Sequence, residues 1–194
     1  MEVCKKIITN VQVSDGGQTL LEQVQQSLLR VIQVLGDKGL MLGFAESCTG
    51  GLLSSLITKQ SGVSEVFWGS VVSYSNESKS LFLNVGMEIF KKYGAVSSQC
   101  AIAMSEGLHA KISQTTQKKI ITVSLTGIAG PTGGSDQKPV GTVFIAVSGT
   151  SKASKVFHHE FVIINEKAIL TDRECIQYAS ALHTLKHIED ELNL

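Results

Sequence analysis

The residues of this chain best suited to chemistry lie together in Ala45-Glu46-Ser47-Cys48-Thr49-Gly50-Gly51. Ser47 and Cys48 are both potential nucleophiles, which points towards acyl transfer. The apolar run Met41-Leu42-Gly43-Phe44 ahead of them suits a buried strand, and Leu52-Leu53-Ser54-Ser55-Leu56-Ile57 after them suits a helix packed by one face on a sheet. Hydroxylated side chains on such a strand-to-helix turn sit where open α/β sheets hold their ligands. The free N–H groups and positive dipole end of the helix favour an anion or a developing oxyanion, and Gly50 and Gly51 let another group approach the backbone. The competing reading is that Ser47 or Thr49 only caps the helix.

A second candidate is the stretch from Thr126-Gly127-Ile128-Ala129-Gly130-Pro131 through Gly133-Gly134 to Lys138-Pro139-Val140, which holds both prolines of the chain and exceeds the usual connection of roughly 4–6 residues. It matches neither the P-loop nor the dinucleotide glycine pattern. It is a shaped loop whose backbone N–H groups could still meet a phosphate, with Lys138 as a positive partner. Tyr74 and Lys79 frame another turn. A lysine beside a serine can act as base once burial lowers its pKa, and its ammonium can then protonate a leaving amine; otherwise Lys79 is a solvated helix residue.

The histidines offer less. His183 and His187 are four apart on one helix but lack the H-E-x-x-H glutamate and a third ligand, so a solvated helix face is the plainer reading. His158 and His159 point to opposite faces of a strand, and His109 reads as an ordinary helix residue.

The elements that must position these groups follow from pattern. Thr19-Leu20-Leu21-Glu22 is a capping box for a helix reaching about Gly36, and Thr171-Asp172-Arg173-Glu174 is another for a C-terminal helix reaching Leu192. Strands are expected at Met41 to Ala45, Val66 to Tyr74, Ile120 to Leu125, Gly141 to Val147 and Lys155 to Ile163, the last two joined as a hairpin through Gly149-Thr150. Helices are expected after Gly50, after the Ser75-Asn76 cap, from Met87 to Tyr93, and after Ser97-Ser98, where Ala101, Met104, Leu108 and Ile112 recur at helical spacing. The sum is one three-layer α/β domain over residues 19–194, with a mixed sheet of about five strands and helices on both faces. Residues 1–18, with Asp15-Gly16-Gly17 as a stop, read as an extension, either an edge strand or a mobile arm.

Composition narrows the classes. In 194 residues, 43% are hydrophobic, 18% are charged, and Lys+Arg equal Asp+Glu at 17 each. That fits one compact domain with no footprint for nucleic acid or an anionic membrane. A cytoplasmic setting is expected, since the first residues lack a signal-peptide core and no apolar run is long enough to span a bilayer. Cys4, Cys48, Cys100 and Cys175 are dispersed, which suggests neither zinc nor disulfides.

Four ordered blocks carry a family likeness: Ala45 to Gly51, Tyr74-Ser75-Asn76-Glu77-Ser78-Lys79, Gly94-Ala95-Val96-Ser97, and Thr126 to Pro131 through Lys138 to Val143. Across roughly residues 20 to 190 the chain resembles the C-terminal domain of competence-damage-inducible protein A, whose stand-alone members are nicotinamide-nucleotide amidohydrolases. The resemblance implies hydrolysis of the carboxamide of nicotinamide mononucleotide to nicotinate mononucleotide and ammonia, with no metal or other cofactor, by a homodimer whose partner is a small nucleotide substrate. It implies Ser47 as nucleophile, with Lys79, Tyr74 and Thr126 as catalytic neighbours. It implies substrate contacts from Glu46, Cys48, Thr49, Gly50, Gly51, Asn76, Gly127, Ala129, Gly130, Gly133, Gly134, Lys138 and Arg173. One departure concerns the last helix, where the family pattern has a second arginine four residues after the first and this chain has Gln177. A nucleotide-binding or partner-binding module without turnover is the alternative that this departure keeps open.

Overall fold

The computed structural model describes residues 6–11, 14–15, 18–149, 151, 153–163 and 171–193. Cys4, Gly16-Gly17 and the Thr150 half of the expected hairpin turn lie outside them. The strands are β1 (Lys6–Val11), the two-residue β2 (Ser14–Asp15) and β3 (Gln18–Thr19), β4 (Leu40–Glu46), β5 (Phe67–Val72), β6 (Lys119–Gly127), β7 (Thr142–Ser148) and β8 (Lys155–Ile163). Capping decides where the longer helices begin. Both capping boxes form: Thr19 starts α1 (Leu20–Lys38), and Thr171 starts the C-terminal helix (Asp172–Leu192, α6 below). Between them lie α2 (Leu52–Thr58), α3 (Asn76–Leu83) capped by Ser75, α4 (Met87–Tyr93), and α5 (Ser98–Ile112) capped by Ser97.

The mixed sheet has six strands where about five were expected, in the order β1-β8-β7-β6-β4-β5. β5, β4 and β6 run parallel, β7 and β8 are antiparallel to their neighbours on the β6 side, and β1 pairs parallel with β8. The additional strand is β1, so the edge-strand reading of the first residues holds for Lys6–Val11. Its sequence signal is weak for a physical reason: Val11 enters the core at 4% exposure while Ile8 is 64% exposed. Only Val11 of its six residues is buried, so β1 presents no alternating buried face that a sequence pattern could show.

Period-two alternation sorts the side chains into layers. Leu42 and Phe44 of β4, with Ile121, Val123 and Leu125 of β6, pack on one face against α1, α2 and α6. On the other face Ala45 and Ile120 meet Leu83, Cys100, Met104, Leu108 and Ile112 from α3 and α5. β6 turns Thr122 and Ser124 towards α5, where Ser105 Oγ donates to Thr122 O at 2.8 Å and Ser124 Oγ donates to Ala101 O at 2.5 Å. Gly107 of α5 lies so close to the Leu83 carbonyl that any Cβ would collide with it. That close approach holds the C-terminal end of α3 against the domain, and α3 carries Lys79.

The histidines of α6 do not form a solvated face. His187 is 8% exposed and His159 1%, their Nε2 atoms share one proton at 2.8 Å, and His183 leans on His159 at 4.8 Å between ring centroids. Among the described residues no group of metal-binding side chains forms. Burial pushes all three imidazoles down, to about 3 for His159 and His187 and about 4 for His183. The unfolded chain takes up these protons once pH falls below about 6.5, while the folded chain refuses them until far lower pH. Stability is therefore full above that value and lost as pH falls towards 4, by up to about 1.4 kcal/mol per pH step for each histidine. Urea midpoints should drop steeply between pH 7.5 and 5, and an unchanged midpoint would contradict this account.

Candidate active site

The parallel strands β5, β4 and β6 end on one edge of the sheet and deliver Tyr74, Ser47 and Thr126 side by side. Ser47 follows β4 directly. Its N–H donates to Leu125 O at 3.1 Å, and the Ser73 N–H donates to Glu46 O at 2.8 Å, so both neighbouring strands fix the turn that carries Ser47.

Glu46 does not line the cavity beside Ser47. Its buried carboxylate accepts hydrogen bonds from Thr49 Oγ1, Gly51 N and Leu53 N on one oxygen, and from Ser54 N and Ser54 Oγ on the other. The chain thus supplies its own anion to the start of α2, at the position the sequence left open for an external one. Thr49 and Gly51 belong to this internal cap, the Gly50 N–H donates to Ser47 O at 3.1 Å, and none of the three lines the cavity.

Lys79 is 1% exposed, against the solvated-lysine reading. Its Nζ lies 2.9 Å from Ser47 Oγ, 2.9 Å from Ser73 O and 2.9 Å from Tyr74 O. A neutral amine has two N–H donors and one lone pair. As an ammonium Lys79 donates to Ser47 Oγ and to both carbonyls; deprotonated, with both hydrogens kept on the carbonyls, its lone pair faces the Ser47 hydroxyl, which then donates to it. Desolvation lowers the Lys79 pKa, and the thiols of Cys100 and Cys48 oppose the shift. Burial raises those thiols to about 11 and about 12, so at neutral pH neither is a thiolate able to hold an ammonium. The same shift disfavours the thiolate of Cys48, which is the reactive form of a cysteine.

Around this pair lies a cavity of about 150 Å³, lined by Ser47, Cys48, Tyr74, Lys79, Ala95, Val96, Thr126, Gly127, Ala129 and Arg173. Eight of the residues singled out in the sequence therefore meet in one place. Thr126 Oγ1 donates to Ala95 O at 2.8 Å, which leaves its lone pairs towards the cavity. Arg173 Nη1 donates to Gly130 O at 2.5 Å, with Nη2 3.5 Å from Tyr74 Oη. Gly133 and Gly134 stay on the exposed part of the loop, and Asn76 opens α3 outside the cavity. Lys138 is turned inward, its ammonium donating to Tyr93 O at 3.0 Å and Val96 O at 2.7 Å, so it anchors the loop and spends two donors within the protein.

Sequence reasoning missed the Ser73 carbonyl, since a backbone acceptor leaves no side-chain signature, and missed that Gln177 Nε2 donates to Cys48 O at 2.9 Å. A larger cavity of about 540 Å³ opens at the opposite end of the sheet, near His109 and Lys119; Ser113 lines it along with Lys38, Lys118 and Lys119, but its hydroxyl donates to His109 O at 2.8 Å.

A family model described as the CinA C-terminal domain matches residues 24–192. The chain is 49% identical over 131 residues, 68% of its length, to a CinA-like protein of Dictyoglomus turgidum, of which it covers 29%. It spans only about a third of the length of the curated relatives it matches. Among solved structures it resembles the competence/damage inducible protein CihA from Agrobacterium tumefaciens, with TM-score 0.73 and 35% identity over 89% of this chain and 96% of that one. It also resembles a competence-damaged protein (CinA) superfamily protein from Klebsiella pneumoniae, with TM-score 0.77 and 27% identity over 88% and 98%.

Proposed function

Because this chain belongs to the CinA C-terminal domain family, we propose that it is an amidohydrolase that converts nicotinamide mononucleotide to nicotinate mononucleotide and ammonia. The observation carrying this reading is the buried Lys79 Nζ, 2.9 Å from Ser47 Oγ and with its two other contacts on carbonyl oxygens.

The chemistry follows from those contacts. Ser47 Oγ attacks the carboxamide carbon as its proton passes to Lys79. The resulting ammonium then gives that proton to the amide nitrogen, the C–N bond breaks, and ammonia leaves an acyl ester on Ser47. Water attacks the ester with Lys79 again taking the proton, which returns to Ser47 Oγ as the carboxylate departs. One water is consumed, and one ammonia and one carboxylic acid are formed. The Thr126 lone pairs can accept an N–H of the bound carboxamide and so orient it.

At about 150 Å³ the cavity is smaller than the roughly 300 Å³ at which pockets for whole drug-sized ligands begin. It suits the carboxamide-bearing ring, with ribose and phosphate extending past Arg173 and the loop around Gly130. Remote binding of that kind orients the reacting end. Nicotinamide riboside, which lacks only the phosphate, should be hydrolysed at least about a hundredfold less efficiently, a loss of about 3 kcal/mol. Arg173→Ala should narrow that gap. Equal efficiency would mean that the phosphate is not read, and absence of ammonia from both compounds would overturn the reaction.

A further inference from the structure

Three loops meet at the site, and one helix ties them together. Arg173 and Gln177 are four residues apart on the opening turns of α6, hence on one face. Arg173 donates to Gly130 O in the loop after β6 and approaches Tyr74 Oη after β5, while Gln177 Nε2 donates to Cys48 O in the nucleophile loop after β4. A trans peptide places C=O and N–H on opposite sides. The bond from Gln177 to the Cys48 carbonyl therefore also fixes where the Thr49 N–H points. Thr49 is 4% exposed, and among the described residues its N–H has no acceptor. The Cys48–Thr49 peptide is thus held through its carbonyl, and a flip would break the bond to Gln177 and move Cys48, which lines the cavity beside Ser47.

We propose that Gln177 is a positioning residue, a neutral side-chain donor that locks the Cys48–Thr49 peptide in the orientation that Ser47 needs to react. The inference rests on Ser47 being the nucleophile, and it is independent of which amide is hydrolysed. It also gives the departure from arginine at this place a function: a carboxamide supplies the hydrogen bond without adding a second cation beside Arg173.

The test uses Gln177→Met, which removes the polar group, Gln177→Glu, which replaces the donor by a carboxylate, and Gln177→Arg, which keeps a donor. Two rates are compared: ammonia release from nicotinamide mononucleotide, and labelling of Ser47 by an uncharged fluorophosphonate. In labelling the Ser47 Oγ–P bond forms, P–F breaks, fluoride leaves and Lys79 takes the proton. A misplacement of about 1 Å at a reacting group can cost about a hundredfold, and loosening the peptide next to Ser47 should cost about tenfold or more. The Met and Glu variants should lose that factor in kcat and in labelling, with KM little changed and Tm lowered by no more than one unpaired acceptor brings, and Gln177→Arg should recover most of it. Wild-type rates of labelling in folded Met and Glu variants would overturn the proposal. Labelling of Ser47 without ammonia release would overturn the substrate reading and leave the labelling series to decide the role of Gln177. Failure of the wild type to label at Ser47 would overturn both.

Discussion

Replacing Ser47 by alanine is expected to lower ammonia release by at least about ten-thousandfold, because a nucleophile and its base act as one unit. The folded state should survive. Ser47 Oγ contributes one of three contacts to Lys79 Nζ, and the remaining two, to Ser73 O and Tyr74 O, still hold the amine. Cys48→Ala separates the two candidate nucleophiles that the sequence left open. The Cys48 thiol is buried and pushed up to about 12, so at neutral pH it packs and does not react. Its removal should keep turnover within about tenfold, since only a small buried apolar group is lost. Full activity in Ser47→Ala with loss in Cys48→Ala would reverse the assignment.

Lys79→Met should cut kcat by about a hundredfold or more, the usual worth of a positioned acid–base group. Methionine can fill the space of the lysine stem but gives the Ser73 and Tyr74 carbonyls no donor. Some stability is lost with it, on the order of 1–3 kcal/mol per unpaired buried acceptor. The discriminating readout is the pH profile. Burial lowers the Lys79 pKa, and the base works only when unprotonated, so wild-type kcat/KM should fall as pH drops through that lowered value. The variant should retain its small residual rate without that limb. A variant with the wild-type profile would place the titrating group elsewhere.

The parts of this architecture that local chemistry specifies were legible in the sequence. Both capping boxes, the Ser75 and Ser97 caps and the helical spacing of Ala101, Met104, Leu108 and Ile112 each encode their own element. Ser47, Lys79, Tyr74 and Thr126 line one cavity and were named together by the family resemblance, whereas spacing alone left Lys79 a solvated helix residue. What pattern hides is where a side chain spends its hydrogen bonds. Glu46 and Lys138 looked available to a substrate, yet one caps α2 from within and the other holds the Tyr93 and Val96 carbonyls. His183 and His187 looked solvated because their partner His159 lies on β8, 28 residues earlier than His187, and only the tertiary fold brings them together. β1 was ambiguous for a similar reason, since its pairing with β8 is a contact between the two ends of the chain.

The central claim is that Ser47 and Lys79 together hydrolyse the carboxamide of nicotinamide mononucleotide. It is tested most directly by incubating the purified chain and its Ser47→Ala variant with that nucleotide and measuring ammonia and nicotinate mononucleotide side by side. The wild type should form the two products in equal amounts, and the variant should form neither above the uncatalysed rate. Wild-type protein that releases no more ammonia than Ser47→Ala would contradict the account.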